Sequence, residues 1–224
     1  MDWSLWPQVS PPKCASCQYG AQQRKKCAGT TTSTDKASEG ILKRNRLNPG
    51  DLIFSDQYES RVPGHVFGHR GTYAPTKQFC GGTLFTDAAT GYIAVHHQQH
   101  LNAAETIASK QAFERDALTA GISVLDYHTD NGIYTSQEFL KELADQGQGR
   151  SLSGVGAHHH NGTAEVSIKH VTASARTMMI HAALRWPSSS ERDLWPLALS
   201  HAGYLHNVTP NPTTGLSPEE LWTK

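Results

Sequence analysis

Three acidic residues stand where chain geometry could bring them together: Asp56 in Gly50-Asp-Leu-Ile-Phe-Ser-Asp56, Asp130 in His128-Thr-Asp-Asn-Gly132, and Glu165 in His160-Asn-Gly-Thr-Ala-Glu165. The first closes an alternating apolar run. The second ends another such run and precedes Asn-Gly, and the third falls in the opening turns of a helix-forming stretch. Strand ends that converge on a helix let carboxylates distant in sequence hold divalent metal jointly, and hard oxygen donors suit Mg²⁺ or Mn²⁺. Two such ions about 3.5–4 Å apart activate an attacking oxygen and stabilise a leaving one in phosphodiester chemistry. Each residue also has a plainer use. Asp56 could cap a loop, Asp130 could close an Asx turn, and a glutamate near a helix N-terminus is favoured by the helix dipole.

The elements that would position these groups follow an α/β order. Asp51–Tyr58 sets Leu52, Phe54 and Asp56 on one face and Ile53 and Ser55 on the other, the period of a strand. Gly81–Asp87 and Gly91–His97 read as two more strands joined by a turn at Ala88–Thr90, and Asp87 suits turn initiation rather than the acidic set. Arg61–Cys80, rich in Gly, Pro, His and basic residues, is long for a hairpin connection. It reads as an insertion without structure of its own in preference to a substrate-contacting loop. Leu101–Ala120 reads as a helix with a capping box at Asn102 and Glu105, a stop at Gly121, and an apolar stripe of Ala104, Ile107, Ala108, Ala112 and Leu118.

Ile122–His128 is a short buried strand leading to Thr129 and Asp130, Ser136–Gln146 a helix, and Arg150–Ser153 a short fifth strand. Asn161–Trp186 is a long helix carrying Ala164, Ile168, Val171, Ala175, Met178 and Ala182, with the Met178-Met179 pair as core packing. Pro187 ends it, and Glu191–Asn207 forms a further helix containing Trp195, Leu199, Ala202 and Leu205. This order matches the ribonuclease H-like α/β fold, a mixed five-stranded sheet flanked by helices. Its first and fourth strands are neighbours. Asp56 and Asp130, 74 residues apart, would then lie side by side, with Glu165, 35 positions further on, swung over both from its helix.

The 224 residues suffice for one ordinary domain with an appendage, and 37% hydrophobic content suffices for a core. No run approaches the roughly 18 consecutive apolar residues of a membrane span, so no membrane partner is expected. Met1-Asp-Trp-Ser-Leu-Trp-Pro7 lacks the regions of a secretory signal. A reducing compartment follows, in which the four cysteines read as thiols or ligands and the sequons at Asn161 and Asn207 carry little weight. Zero net charge argues against a strong stand-alone nucleic-acid binder. Positive charge gathers instead at Arg24-Lys25-Lys26 and at Lys43, Arg44 and Arg46, which can neutralise phosphates or simply solvate a linker. The thirteen histidines could add charge below roughly pH 6.5.

The first 49 residues differ in character. Ala28–Gly40 is Thr/Ser/Gly-rich and reads as a linker or disordered stretch, so a poorly ordered N-terminal tail is expected. Cys14 and Cys17, in Cys-Ala-Ser-Cys, could give two thiolates to zinc, but a structural site needs four ligands. Cys27 could supply a third; no fourth is evident, and no histidine precedes His65.

The segments Gly50–Asp56, Gly81–Asp87, Thr129–Gly132 and Gly156–Glu165, with the tail Pro210-Asn-Pro212 and Ser217–Trp222, resemble the integrase core of copia-type LTR retrotransposon polyproteins. The resemblance runs in the family's order from about residue 50 to the C-terminus. It implies a DDE-type polynucleotidyl transferase that trims element DNA ends and joins them to target DNA. Asp56, Asp130 and Glu165 would then be catalytic and would hold two Mg²⁺ or Mn²⁺ ions, Asp56 and Asp130 one of them, Asp56 and Glu165 the other. The implied partners are element-end and target DNA and further copies of the chain, in nucleus and cytoplasm within a virus-like particle.

Asn131, Asn161 and Lys169 become candidate DNA contacts, although Lys169, four residues from Glu165, equally suits an ordinary surface ion pair. His158-His159-His160 would lie in a mobile loop beside the DNA end rather than around a zinc ion. The expected division is a truncated zinc-module remnant and flexible linker over residues 1–49, and a catalytic core-like domain over 50–224. Zinc is not expected to bind this fragment, because the family's upstream His pair is missing. Val166 stands where the family places Arg, and a family-like C-terminal extension is absent. These departures weigh against turnover by the chain alone. They keep open a second reading, a non-catalytic DNA-binding or assembly remnant, and a third, a nuclease acting on RNA–DNA hybrids.

Overall fold

Alternation along the first strand is realised in three dimensions: in the computed structural model Ile53 and Ser55 are wholly buried, while Leu52, Phe54 and Asp56 lie half-buried on the opposite face. The structure describes residues 14–20, 22, 47–66, 78–152, 162–188, 190–212 and 214–223. In chain order the elements are α1 (Ala15–Gly20), β1 (Leu52–Gly64), β2 (Phe79–Asp87), β3 (Ile93–Gln98), α2 (Ala103–Thr119), β4 (Asp126–Thr129), α3 (Gln137–Asp145), β5 (Gly149–Leu152), α4 (Gly162–Arg185), α5 (Trp195–Val208) and α6 (Pro218–Trp222). The five strands form one sheet in the order β3-β2-β1-β4-β5. Antiparallel pairing joins β1 to β2 and β2 to β3, and β4 runs parallel to both β1 and β5.

Each face of the sheet buries its own cluster. Ile53, Phe85 and Tyr127 pack with Phe113 of α2, Phe139 and Leu143 of α3, and Trp222 of α6. Leu84 and Ile93 pack on the other side with Val171 and Ala175 of α4 and Leu199 and Ala202 of α5. Phe85 stacks on Phe113 with ring centres 4.8 Å apart, and each such buried side chain contributes about 1.5–3 kcal/mol. Because β2 is covered on both faces, every residue from Gly81 to Asp87 is buried.

Several elements differ from expectation. β1 continues to Gly64 and pairs with Phe79 after an irregularity beyond Glu59. Both ends of the segment read as an insertion therefore belong to the sheet, and residues 67–77 lie outside the described residues. The distal end of β1 is pinned by Trp195, whose Nε1 donates to the Val62 carbonyl at 2.8 Å, and by His65 paired with Asp193 at 3.1 Å. Ile122–Leu125 is not strand: Ile122 N–H returns to Ala117 to close α2, and Leu125 N–H donates to the Gly50 carbonyl. Gly50 adopts φ +87 there, and a Cβ would lie 2.5 Å from the Ser123 carbonyl, so only glycine fits.

The stripe of α2 is rotated from the apolar one. Ala104, Ala108 and Leu118 are exposed, whereas Thr106, Ser109 and Lys110 are buried with Phe113 and Ala117. Polar partners explain this. Thr106 accepts from Gln57, Ser109 accepts from Gln98, and Lys110 pairs with Glu114 at 3.0 Å while lying over the Tyr127 ring. The capping box is half formed: Asn102 accepts from Glu105 N–H, but the Glu105 carboxylate turns back to Gln99 and His100. The tail, by contrast, forms α6 with a complete box from Ser217 and Glu220, and Trp222 stacks on Tyr92 at 4.8 Å.

The β3 edge is covered by α5, where Asn207 accepts from Ile93 N–H at 2.9 Å and donates to the Ile93 carbonyl at 2.8 Å. Asn207 is 5% exposed, so its sequon is not presented. Among the described residues no helix is long and apolar enough to cross a membrane.

Candidate active site

Asp56 sits inside the β1 ladder, opposite Leu84 of β2. On its other side the parallel register with β4 runs from Leu52–Asp126 to Ser55–Thr129. One step further along both chains come Asp56 and Asp130, which places the two aspartates side by side. Asp130 is the first residue beyond β4, and Glu165 is exposed in the first turn of α4.

The Asp56 carboxyl is pushed up to about 6, first by burial and then by the negative charges of Asp130 and Glu165, against a lowering hydrogen bond from Gln57 N–H. The field at Asp56 is therefore shared by all three residues. Three carboxylates placed this way repel one another unless cations compensate them. Among the described residues no three His, Cys, Asp or Glu side chains are drawn into one ligand cluster. The donor chemistry nevertheless fits hard divalent cations, since the groups whose charges act on Asp56 are carboxylates.

Asp130 closes the Asx turn anticipated for Asp-Asn-Gly: its Oδ1 accepts from Gly132 N–H at 3.1 Å. A Cβ at Gly132 would lie 3.3 Å from that oxygen, tight enough to press on the carboxylate. A single 3-10 turn, Ile133–Thr135, then leads into α3. Its Tyr134 shares a 2.9 Å hydrogen bond with Ser55 Oγ, beside Asp56 in the chain. Burial pushes the Tyr134 phenol well above its ordinary range, so the hydroxyl keeps its proton. Tyr134 lies outside the segments that carry the resemblance, and Ser55 falls within one only as the neighbour of Asp56.

Asn131 is exposed in the Asx turn, where its carbonyl accepts from Thr135. Lys169 is exposed one turn beyond Glu165. The ion pairs among the described residues are His65–Asp193, Lys110–Glu114 and Lys110–Glu142, so Lys169 and Glu165 do not form the surface pair that their spacing allows. Val166 is 65% exposed, and an arginine there would reach solvent. Asn161, His158–His160, Cys27 and both basic clusters lie outside the described residues. Cys14 and Cys17 are exposed around the start of α1, with Cys17 N–H directed at Cys14 Sγ at 3.5 Å.

Asp87 takes the turn role: its carboxylate accepts from Gly50 N–H, Thr90 N–H and Thr90 Oγ. A Ser–His contact also exists, Ser200 Oγ to His97 Nε2 at 2.7 Å, with Nδ1 against Tyr58 at 2.7 Å. Burial lowers His97 to about 4, and Ser200 lies within α5, where a helix interior offers no free N–H groups to stabilise an oxyanion. This relay ties β3 to α5 and does not make an acyl-transfer site.

A mixed five-stranded sheet in this order, flanked by helices, is the ribonuclease H-like fold seen in integrase catalytic cores. The HTLV-2 integrase catalytic core domain in complex with magnesium, in its trimeric form, superposes with a TM-score of 0.54 at 17% identity, covering 78% of this chain and 97% of that one. A chain of the simian T-cell lymphotropic virus intasome in complex with PP2A regulatory subunit B56 gamma gives 0.58 at 17% identity, covering 80% of this chain and 56% of that one. The BIV integrase catalytic core gives 0.52 at 14% identity, covering 77% and 93%. The sequence matches no protein-family model and no curated protein.

Proposed function

We propose that residues 50–224 act as the catalytic core of an integrase of the copia-type retrotransposon kind, a metal-dependent polynucleotidyl transferase. The observation that carries the reading is the parallel β1–β4 register, one step beyond whose last pair, Ser55–Thr129, come Asp56 and Asp130; the Asp56 carboxyl, raised by burial and by the charges of Asp130 and Glu165, agrees with it. Asp56 and Asp130 would hold one Mg²⁺ or Mn²⁺ ion, and Asp56 with Glu165 a second. Ions so held supply activation of the attacking oxygen and stabilisation of the leaving oxygen.

Water attacks phosphorus near an element end, forming one P–O bond as the scissile one breaks and freeing a 3′-hydroxyl. That hydroxyl then attacks a target phosphodiester, with the target's own P–O bond breaking. Both displacements depend on positioning, which the β1 ladder provides for Asp56 and the Asx turn for Asp130. Lys169 and Asn131, exposed beside Glu165 and Asp130, would contact DNA, as would Asn161. Related folds occur as HTLV-2 integrase cores in dimeric and trimeric forms and in a simian viral intasome, and this chain is proposed to act likewise as a homo-oligomer on paired DNA ends. Its proposed setting is a virus-like particle, in cytoplasm and nucleus.

A second reading, a DNA-binding or assembly module without turnover, is favoured by Val166 and by zero net charge. The deciding experiment is Mn²⁺-dependent nicking and strand transfer on labelled DNA duplexes, comparing the chain with Asp130→Asn and Glu165→Gln. Activity lost in both variants supports the transferase. Cleavage confined to RNA–DNA hybrids would point to a ribonuclease H-type nuclease, and DNA binding without any turnover to the assembly module.

A further inference from the structure

The two aspartates are held by different means. Asp56 is fixed by its pairing with Leu84 of β2 and follows directly on the last β1–β4 pair, Ser55–Thr129, whereas Asp130 stands one residue beyond that pair with no strand partner, on a turn. Something must hold that turn against β1 if the spacing between the carboxylates is to be kept. Tyr134, four residues beyond Asp130, is 1% exposed and meets three elements. Its hydroxyl shares the 2.9 Å hydrogen bond with Ser55, itself wholly buried and adjacent to Asp56. Its carbonyl accepts from the Arg150 guanidinium of β5. Its ring meets Phe139 of α3 edge-on, with centroids 5.3 Å apart.

We infer that Tyr134 and Ser55 form a latch that sets the separation of the Asp56 and Asp130 carboxylates. They are positioning residues for the metal site, acting from the opposite face of the sheet. The inference rests on the integrase reading only in taking Asp56 and Asp130 as metal ligands. Both side chains are buried, Ser55 wholly and Tyr134 to 1% exposure. Ser55 alternates with Asp56 along β1 and faces the core cluster of Ile53, while Asp56 faces α4. The hydroxyl pair therefore works through the backbone: it fixes the Ser55–Asp56 peptide relative to the turn that carries Asp130. Phe139, Arg150 and the Tyr134 ring all remain when the hydroxyl alone is removed, so the fold has little reason to change.

The test is Mn²⁺ binding to the full chain, followed by electron paramagnetic resonance of the free ion, for Tyr134→Phe, Ser55→Ala and the double variant, with thermal unfolding measured alongside. Outer-shell partners of a metal site typically carry 10–100-fold in affinity, and each single variant should bind Mn²⁺ about tenfold more weakly while still folded at the assay temperature. Because both substitutions delete the Ser55–Tyr134 bond, the loss in the double variant should fall well short of the sum of the two single losses. A dissociation constant within about twofold of the unmodified chain in both single variants overturns the latch. So do losses that simply add, since the side chains would then act separately. Should Tyr134→Phe fail to fold, Ser55→Ala decides by the same criterion. If the unmodified chain shows no saturable Mn²⁺ binding that Asp56→Asn abolishes, the metal-site reading itself fails, a result distinct from failure of the latch.

Discussion

Replacing Asp56 with Asn should make the metal-free protein more stable near neutral pH. The folded carboxyl is raised from 3.8 to about 6 by burial and by Asp130 and Glu165, so the folded state holds this proton more tightly than the unfolded state does. The stability associated with it is fully present below about pH 4 and is lost as the pH rises through about 6. Two units correspond to about 3 kcal/mol, which partial exposure reduces to about 1.5 kcal/mol. For a chain of this size that is a melting-temperature gain of about 3–6 °C for Asp56→Asn at pH 7.5 in EDTA, and little gain at pH 4.5. Asn can still accept the Gln57 N–H bond, so the substitution removes charge and little else. His96 and His97, kept neutral by burial, act oppositely, losing stability as pH falls. The difference between the two chains across pH, measured by urea unfolding, isolates Asp56. Mn²⁺ at about 100 times its dissociation constant should then return about 2.7 kcal/mol to the unmodified chain and little to the variant. A variant no more stable at pH 7.5, or one whose advantage is largest at low pH, would refute the shared-field argument.

Three further outcomes follow from buried polar groups away from the carboxylates. Asp87→Ala removes the acceptor for three hydrogen bonds in a buried turn and should cost about 2–4 kcal/mol in urea unfolding; Mn²⁺ affinity measured well below the melting temperature should stay within about twofold. Lys110→Met leaves Glu114 without its counter-charge and should destabilise by about 3–5 kcal/mol, with partial recovery in Lys110→Met/Glu114→Gln. Asn207→Ala should cost about 2 kcal/mol and raise hydrogen-exchange rates at Ile93 selectively, since both of its bonds go to that residue.

Much of the sheet was legible because alternation is a strong signal where one face is buried, as at Leu52–Asp56. The strand neighbours of Asp56 and Asp130 followed from element order. What sequence could not show was polar burial. α2 was oriented by its alanines and Leu118, yet Thr106, Ser109 and Lys110 face inward because Gln57, Gln98 and Glu142 wait there. The end of β1 was hidden by Arg61-Val62-Pro63-Gly64, whose composition suggests a loop; Trp195 and Asp193, more than a hundred residues away, hold it as strand. α6 has a complete capping box but only five residues, too few to show periodicity. Of the candidate site, the three carboxylates were singled out by their surroundings and by resemblance. The Ser55–Tyr134 bond was not, because hydroxyls 79 residues apart leave no spacing rule to detect.

Asn207 imitates a neighbouring strand. By answering both the N–H and the carbonyl of Ile93, one side chain takes the two bonds that an incoming polypeptide would need at that margin. A second molecule could lengthen this sheet through β3 only by first evicting Asn207 and lifting α5 away. Self-association is thereby steered away from open-ended stacking of sheets at this margin, and copies of the chain would have to recognise one another through other surfaces.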